Sequence, residues 1–275
     1  MLGLTHFVGR SWVAGSQSAF GVESNQACAN RCCMPAITSA NTVAALTEVY
    51  SRSSTSPARG RTQDGQEWVI KLQGAGPGSI GLLTEFVALR MAKAMQLNVP
   101  NASPIYLPSN FPWMLGTDEF DGIVQRSSGW NLGVTFISDA VLASRQEVIG
   151  GGDAVFLERL VQVDQILANT DRSLRNTNIL SSPDGLVAID FDACLFLRRA
   201  VRDIVPEAFA LWPDHLLTGL DRSLPAIAFP VQSMIAAIDE APADWIEATG
   251  LSADALKSRL IAYGAAWNEI AENGR

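Results

Sequence analysis

Lysine is nearly missing from this chain. Of 20 basic residues only three are lysines, Lys71, Lys93 and Lys257, which leaves seventeen arginines. Histidine is scarcer still, with His6 and His215 alone. Three of the four cysteines, Cys28, Cys32 and Cys33, crowd into the first 33 residues, and Cys194 stands by itself. The body of the chain is therefore no disulfide scaffold. The C-x3-C-C cluster lacks a second ligand pair at zinc-finger spacing, which argues against structural zinc. Long apolar runs are absent too. The best candidate, residues 224–238, carries Pro225, Pro230 and Gln232 and is shorter than the roughly 20 apolar residues a membrane helix needs. The N-terminus has no compact apolar stretch of the secretory type. Positive charge is in deficit: 20 Lys+Arg against 28 Asp+Glu give −8, with no basic run. That balance argues against nucleic acid as a partner, because such affinity comes largely from phosphate neutralisation. The expectation is a soluble cytoplasmic protein that engages neither membrane nor nucleic acid.

What is present suits a large core. Hydrophobic residues make up 48% and charged residues 17% of 275, which excludes wholesale disorder. The first 33 residues are rich in Gly, Ser and Cys with weak periodicity. Residues 1–36 are expected to be a flexible leader or a translation start assigned too far upstream. The run NTVAALTEVY, 41–50, fits helix or strand. SRSSTSPARGRT reads as a loop, Asp64-Gly65 as a turn and QEWVIKLQG as a strand that pairs across the loop. Residues 80–96 form an amphipathic helix, and strand-like pieces follow at 103–107, 122–126 and from Gly129. After a linker near Asp139 the pattern turns helical, with Asp153 capping a helix over 154–168. Ser182-Pro183-Asp184-Gly185 turns a short hairpin, and further helices start near Pro206, Pro225, Pro242 and Ser252. The class is α+β: a β-rich part with one strong helix, residues 37–138, then a mostly helical part, residues 139–275.

Three features carry chemistry. Lys71 lies in the apolar strand WVIKL, where an edge lysine that repels partners is the plain alternative. Glu85 shares a helix face with Leu82, Leu89 and Ala92, so it sits in an apolar stripe. A carboxylate buried there must protonate or find a cation, and Lys71, fourteen residues earlier, is available. The polar loop NTDRSLRNTN then sets Asp171 and Asn176 five apart, and the hairpin delivers Ile189-Asp190-Phe191-Asp192. Phosphoryl transfer from ATP needs a carboxylate for the acceptor's proton, oxygen ligands for Mg²⁺ and a cation on the phosphates. Asp171, Asn176 with Asp190, and Lys71 supply these in the chain order protein kinases use. Simple Asx capping by Asp171 and Asn176 is the plain alternative. A glycosidase pair of Asp190 and Asp192 is disfavoured by their i, i+2 spacing. An EF-hand fails for want of the central glycine and closing glutamate.

VIKL, LLTEFVALRMAKAM with LNVP, GWNLGVTFIS and, above all, LVQVDQILANTDRSLRNTNIL with LVAIDFD resemble the HipA-like serine/threonine kinases, particularly those made of the kinase domain alone. The resemblance covers roughly residues 37–200. It implies a two-lobed protein-kinase-like fold, with 37–138 as N-lobe, 139–275 as C-lobe, and ATP and Mg²⁺ in the cleft. Carried over by motif, Lys71 would hold the ATP phosphates and Glu85 would position Lys71. Asp171 would be the catalytic base, and Asn176 and Asp190 would ligate Mg²⁺. Family members phosphorylate proteins, and some are toxins paired with antitoxins, so a protein substrate and an antitoxin or regulatory partner are implied. Ser173 stands where the family commonly has histidine, and no Gly-rich phosphate loop is present. Ser51, Ser53, Ser54 and Ser56 with Gly60 fill its place. In better-known members a serine of this loop is autophosphorylated, and the added charge would repel bound phosphates. Rival readings keep the catalysis and change the acceptor to a phosphatidylinositol-type lipid or a small molecule, or drop catalysis for a pseudokinase binding module. The −8 balance argues against the lipid.

Overall fold

The computed structural model describes residues 35–51, 55–112, 118–151, 153–220 and 225–273. Most of the expected leader, Cys28, Cys32 and Cys33 included, lies outside the described residues, as do Ser53 and Ser54. Five strands form one antiparallel sheet in the order β1-β2-β3-β5-β4: β1 (Val43–Val49), β2 (Ala58–Thr62), β3 (Glu67–Lys71), β4 (Ala102–Leu107) and β5 (Gly129–Thr135). Helix α1 (Gly78–Ala94) follows β3, and α2 (Asp118–Gln125) lies between β4 and β5. A second sheet, β6 (Val141–Leu142), β7 (Ile179–Ser182) and β8 (Gly185–Ala188), is set among α3 (Arg145–Gly151), α4 (Ala154–Leu167) and α5 (Phe196–Val201). Helices α6 (Val231–Glu240), α7 (Ala243–Glu247) and α8 (Ala253–Asn273) complete the chain. The expected α+β class is the one observed: a β-rich half with one long helix, then a mostly helical half. No helix among the described residues is long and apolar enough to cross a membrane.

Several elements differ from the sequence expectation. The run read as loop up to Thr62 contains β2, which pairs with β1 on one side and β3 on the other. Its inward residues are Ala58, Gly60 and Thr62, too small to read as a strand. They are small because a Cβ on Gly60 would meet Ile70 Cδ1 at 2.7 Å. Residues 122–126, read as a strand, belong largely to α2, which turns Phe120 and Val124 under the sheet against Ile70 and Ile105. Among the described residues no helix starts near Pro206 or Pro225; α5 begins at Phe196 and α6 at Val231. The starts behind Pro242 and Ser252 are as expected.

Helix α1 is buried on nearly all sides, from Gly81 to Leu89 without a break. It lies between the sheet and α6 with α7, where Phe86 meets Trp245 edge-to-face at 6.0 Å. The Trp245 ring N–H in turn donates to the Trp130 carbonyl of β5. One apolar cluster thus runs from α1 through β5 to α4, α6 and α8, and the two halves share it. This fixes the distance between Lys71 at the end of β3 and Glu85 in the middle of α1. After β3 the chain turns through Gly74, whose N–H donates to Ser127 Oγ, while Gln73 N–H donates to Asn131 Oδ1.

Gly133 on β5 lies opposite Ile70, the neighbour of Lys71. A Cβ there would meet Ile105 Cγ1 at 2.4 Å and Trp68 Cε3 at 3.1 Å. Gly133→Ala is expected to lower stability by about 1–3 kcal/mol through overpacking. A urea melt with an unchanged midpoint would show that this layer yields freely.

Candidate active site

The side chains singled out in the sequence fall into two adjoining groups. In the first, Lys71 Nζ lies 2.5 Å from Glu85 Oε2, 2.5 Å from Asp190 Oδ1 and 3.8 Å from Asp192 Oδ2. Glu85 is buried and the Lys71 side chain is 10% exposed, whereas Asp190 and Asp192 retain 30% and 21%. Burial alone would lower the Lys71 ammonium, but Glu85, Asp190 and Asp192 more than reverse this, so it is held firmly charged. Burial pushes the Glu85 carboxyl up to about 7 against the pull of Lys71, with Asp190 and Asp192 adding to the rise. The two directions oppose each other, since a firmly charged lysine calls for an ionised partner. The 2.5 Å contact decides for the ion pair. Burial likewise raises Asp192, with Asp190 and Asp171 adding and Lys71 opposing.

In the second group Asp171 Oδ2 accepts from the side-chain amides of Asn176 at 2.7 Å and Asn178 at 3.0 Å. Oδ1 of Asp171 takes no hydrogen bond among the described residues, so one oxygen is clamped and the other is free. The Asn176 side chain gives an N–H to Asp171, and among the described residues its carbonyl oxygen accepts no hydrogen bond. Asp190 and Asn178 both hold left-handed backbone, at φ 61° and 48°. Asx residues tolerate that region, and it commonly marks residues aimed at a site. Thr170 Oγ1 donates to the Ala193 carbonyl, which ties the start of this loop to the segment behind Asp190.

What holds the groups together is a third, fully buried one that the sequence reasoning passed over. Asp164 on α4 accepts from Asn169 Nδ2 at 2.9 Å on one oxygen. Its other oxygen takes Arg172 Nε at 2.6 Å and His215 Nε2 at 2.9 Å. The Leu217 N–H donates to His215 Nδ1, which leaves the ring proton on Nε2 facing the carboxylate. Arg172 then spends its remaining N–H groups on the carbonyls of Thr177 (3.0 Å), Asn178 (2.5 Å) and Ile189 (3.5 Å). Its guanidinium also lies over the Phe191 ring. One arginine therefore grips both the strand of chain leading to Asp190 and the one carrying Asn176 and Asn178. A signal was there: Asp164 shares a helix face with Leu157, Leu160, Val161 and Ala168, the same anomaly that marks Glu85.

The ligand oxygens of Glu85, Asp190 and Asp192 lie within 4.8 Å of one another. Against three carboxylates stands, among the described residues, the single Lys71 ammonium, so the cluster keeps an excess of negative charge that suits a divalent cation. A cleft of about 360 Å³ opens beside Asp192, lined by Thr55, Gly76, Pro77, Thr170 and Arg198 among others.

No protein-family model matches the chain. No curated protein matches it either. Among solved structures it is similar to the crystal structure of a Helicobacter pylori proinflammatory kinase, CtkA, at 12% identity and TM-score 0.42, over 78% of this chain and 96% of that one. A likeness at that level leaves the functional assignment to the residues themselves.

Burial alone would raise the Asp164 carboxyl, but the Arg172 guanidinium, with hydrogen bonds from His215 and Asn169, holds it below its ordinary 3.8. The unfolded chain therefore takes up this proton first as pH falls. The stabilisation is complete above the unfolded value and is lost as pH drops through the folded one. Asp164→Asn is expected to flatten the acid limb of the stability–pH profile below about pH 4, measured by urea melts from neutral to acid. Asp164→Ala, which strands Arg172 as a buried unpaired cation, is expected to cost about 3–5 kcal/mol. An acid limb identical in wild type and Asp164→Asn would contradict this account.

Proposed function

We propose that the protein is an ATP- and Mg²⁺-dependent phosphotransferase, a HipA-like protein serine/threonine kinase. The observation that carries this reading is the Asp171 carboxylate, held on one oxygen by Asn176 and Asn178 and open on the other, beside a lysine among three carboxylates. The β-rich and helical halves that meet at these residues, and the motif resemblance, support the same reading. ATP supplies the phosphoryl group and Mg²⁺ the charge that shields it.

Each residue has a part suited to its surroundings. Lys71, drawn toward the cleft by Asp190, would contact the phosphates as a compact point charge. Glu85, fixed in the apolar packing of α1, would keep that ammonium in place. Asp190 and the free carbonyl oxygen of Asn176 would hold Mg²⁺. Asp171 would take the acceptor hydroxyl's proton on Oδ1, because Oδ2 is already engaged. Its two amide donors keep the carboxylate turned to one orientation, which is what a proton acceptor needs before the acceptor arrives.

Two substitutions test the reading. Asp171→Asn is expected to lower phosphate transfer by roughly 10²–10⁴-fold while leaving nucleotide binding largely intact, measured with labelled ATP and by titration calorimetry. Lys71→Arg is expected to lower transfer on the order of tenfold or more, since the larger planar fork does not fit a pocket shaped for an ammonium. If wild type and Asp171→Asn consume ATP equally slowly, the protein is no kinase.

A further inference from the structure

Between Asp171 and Asn176 the chain runs through Ser173, Leu174 and Arg175. These three residues line a cavity of about 530 Å³, together with Arg145 at the start of α3 and the stretch from Pro213 to Leu216. The two sides are joined at their base. Ser173 bridges to His215, Leu216 N–H donates to the Arg172 carbonyl, and His215 is tied to buried Asp164. The cavity is thus preformed rather than a gap between independent loops.

Its charge is distinctive. Arg145 and Arg175 are both exposed, and neither makes an ion pair among the described residues. Among the described residues Asp214 is the one acid on the lining. In a chain of net charge −8 this is a local excess of positive charge, and one of its two arginines, Arg175, lies four residues from the proposed base. Leu174 is 58% exposed within the lining, and Trp212, 45% exposed, stands next to Pro213. Exposed apolar side chains beside unmatched arginines suit a polypeptide better than a small acceptor, which would leave them uncovered.

We propose that this cavity receives the phosphoryl acceptor, a protein segment in which acidic residues flank the target serine or threonine. The proposal rests on the phosphotransferase reading and names the substrate chemistry of that site. Arg145 and Arg175 contact the acidic flanks, and Leu174 with Trp212 covers apolar side chains of the segment. The charge pairs are exposed, so they set preference and encounter more than tight binding.

The test uses the full chain, ATP labelled on its terminal phosphate, and three serine/threonine peptides of equal length flanked by Glu, Lys or Ala. The Glu peptide is expected to be labelled on the order of tenfold faster than the Lys peptide, with the ratio shrinking at high salt. The double variant Arg145→Glu/Arg175→Glu is expected to reverse the order. Equal labelling by wild type, a preference for Lys, a ratio indifferent to salt, or a folded double variant that still prefers Glu would each overturn the proposal. So would a wild type that turns over ATP and labels no peptide. Equal ATP turnover by wild type and Asp171→Asn would instead remove the phosphotransferase reading beneath it.

Discussion

Asp164 is a carboxylate shut away from water, and it is tolerable there because three donors converge on it: Asn169, Arg172 and His215. Desolvating an ion costs several kcal/mol unless the geometry repays it. Here the repayment is spent on architecture. Arg172, once fixed by Asp164, has N–H groups left over, and these reach the carbonyls of Thr177, Asn178 and Ile189. Those carbonyls belong to the two segments that present Asn176 and Asp190. Deleting the carboxylate would therefore loosen every loop residue of the site at once, although Asp164 touches none of the proposed reactants.

The second constraint is electrostatic. Lys71 ends a strand and Glu85 sits mid-helix, and the shared core between sheet and helices presses the two together. Asp190 and Asp192 then arrive from the helical half with more negative charge than one ammonium can balance. An arrangement of this kind is poised for a further cation, the electrostatic demand that a divalent metal ion would meet. The scarcity of lysine acquires a physical meaning in this setting. A compact ammonium, its side chain only 10% exposed, fits among three carboxylates, where a planar guanidinium would need a different cage.

The elements that were legible share one property: apolar stretches bounded by turn or capping residues. Helix α1, strands β3 to β5 and the hairpin β7–β8 are marked in this way. Yet α1, expected to be amphipathic, is buried nearly all round, and β5 is buried as a continuous run rather than on one face. Those that were missed owe their form to neighbours. Strand β2 carries Ala58, Gly60 and Thr62 inward because Ile70 and Leu46 already occupy the space beside them. Helix α2 contains Ile123 and Val124, which favour strands locally, yet packing of Phe120 and Val124 beneath the sheet selects a helix. The segment from 202 to 220 forms no helix, but its His215 is locked to Asp164 and to Ser173 of the Asp171–Asn178 loop, a role no local pattern announces.

By itself the sequence determined the chemical inventory: a lysine in an apolar strand, a glutamate in an apolar helix face, and the Asp171, Asn176 and Asp190 series on polar turns. Such residues are conspicuous because burying charge is costly, so each one announces a partner. Which partner it finds was decided only by the tertiary structure. That Asn178 as well as Asn176 clamps Asp171, that Asp192 joins the Lys71 cluster, and that Asp164, Arg172 and His215 bind three distant segments all depend on long-range packing. Hydrogen bonds and ion pairs act over about 3–4 Å, and separations that small are fixed by the folded core, which no local period encodes.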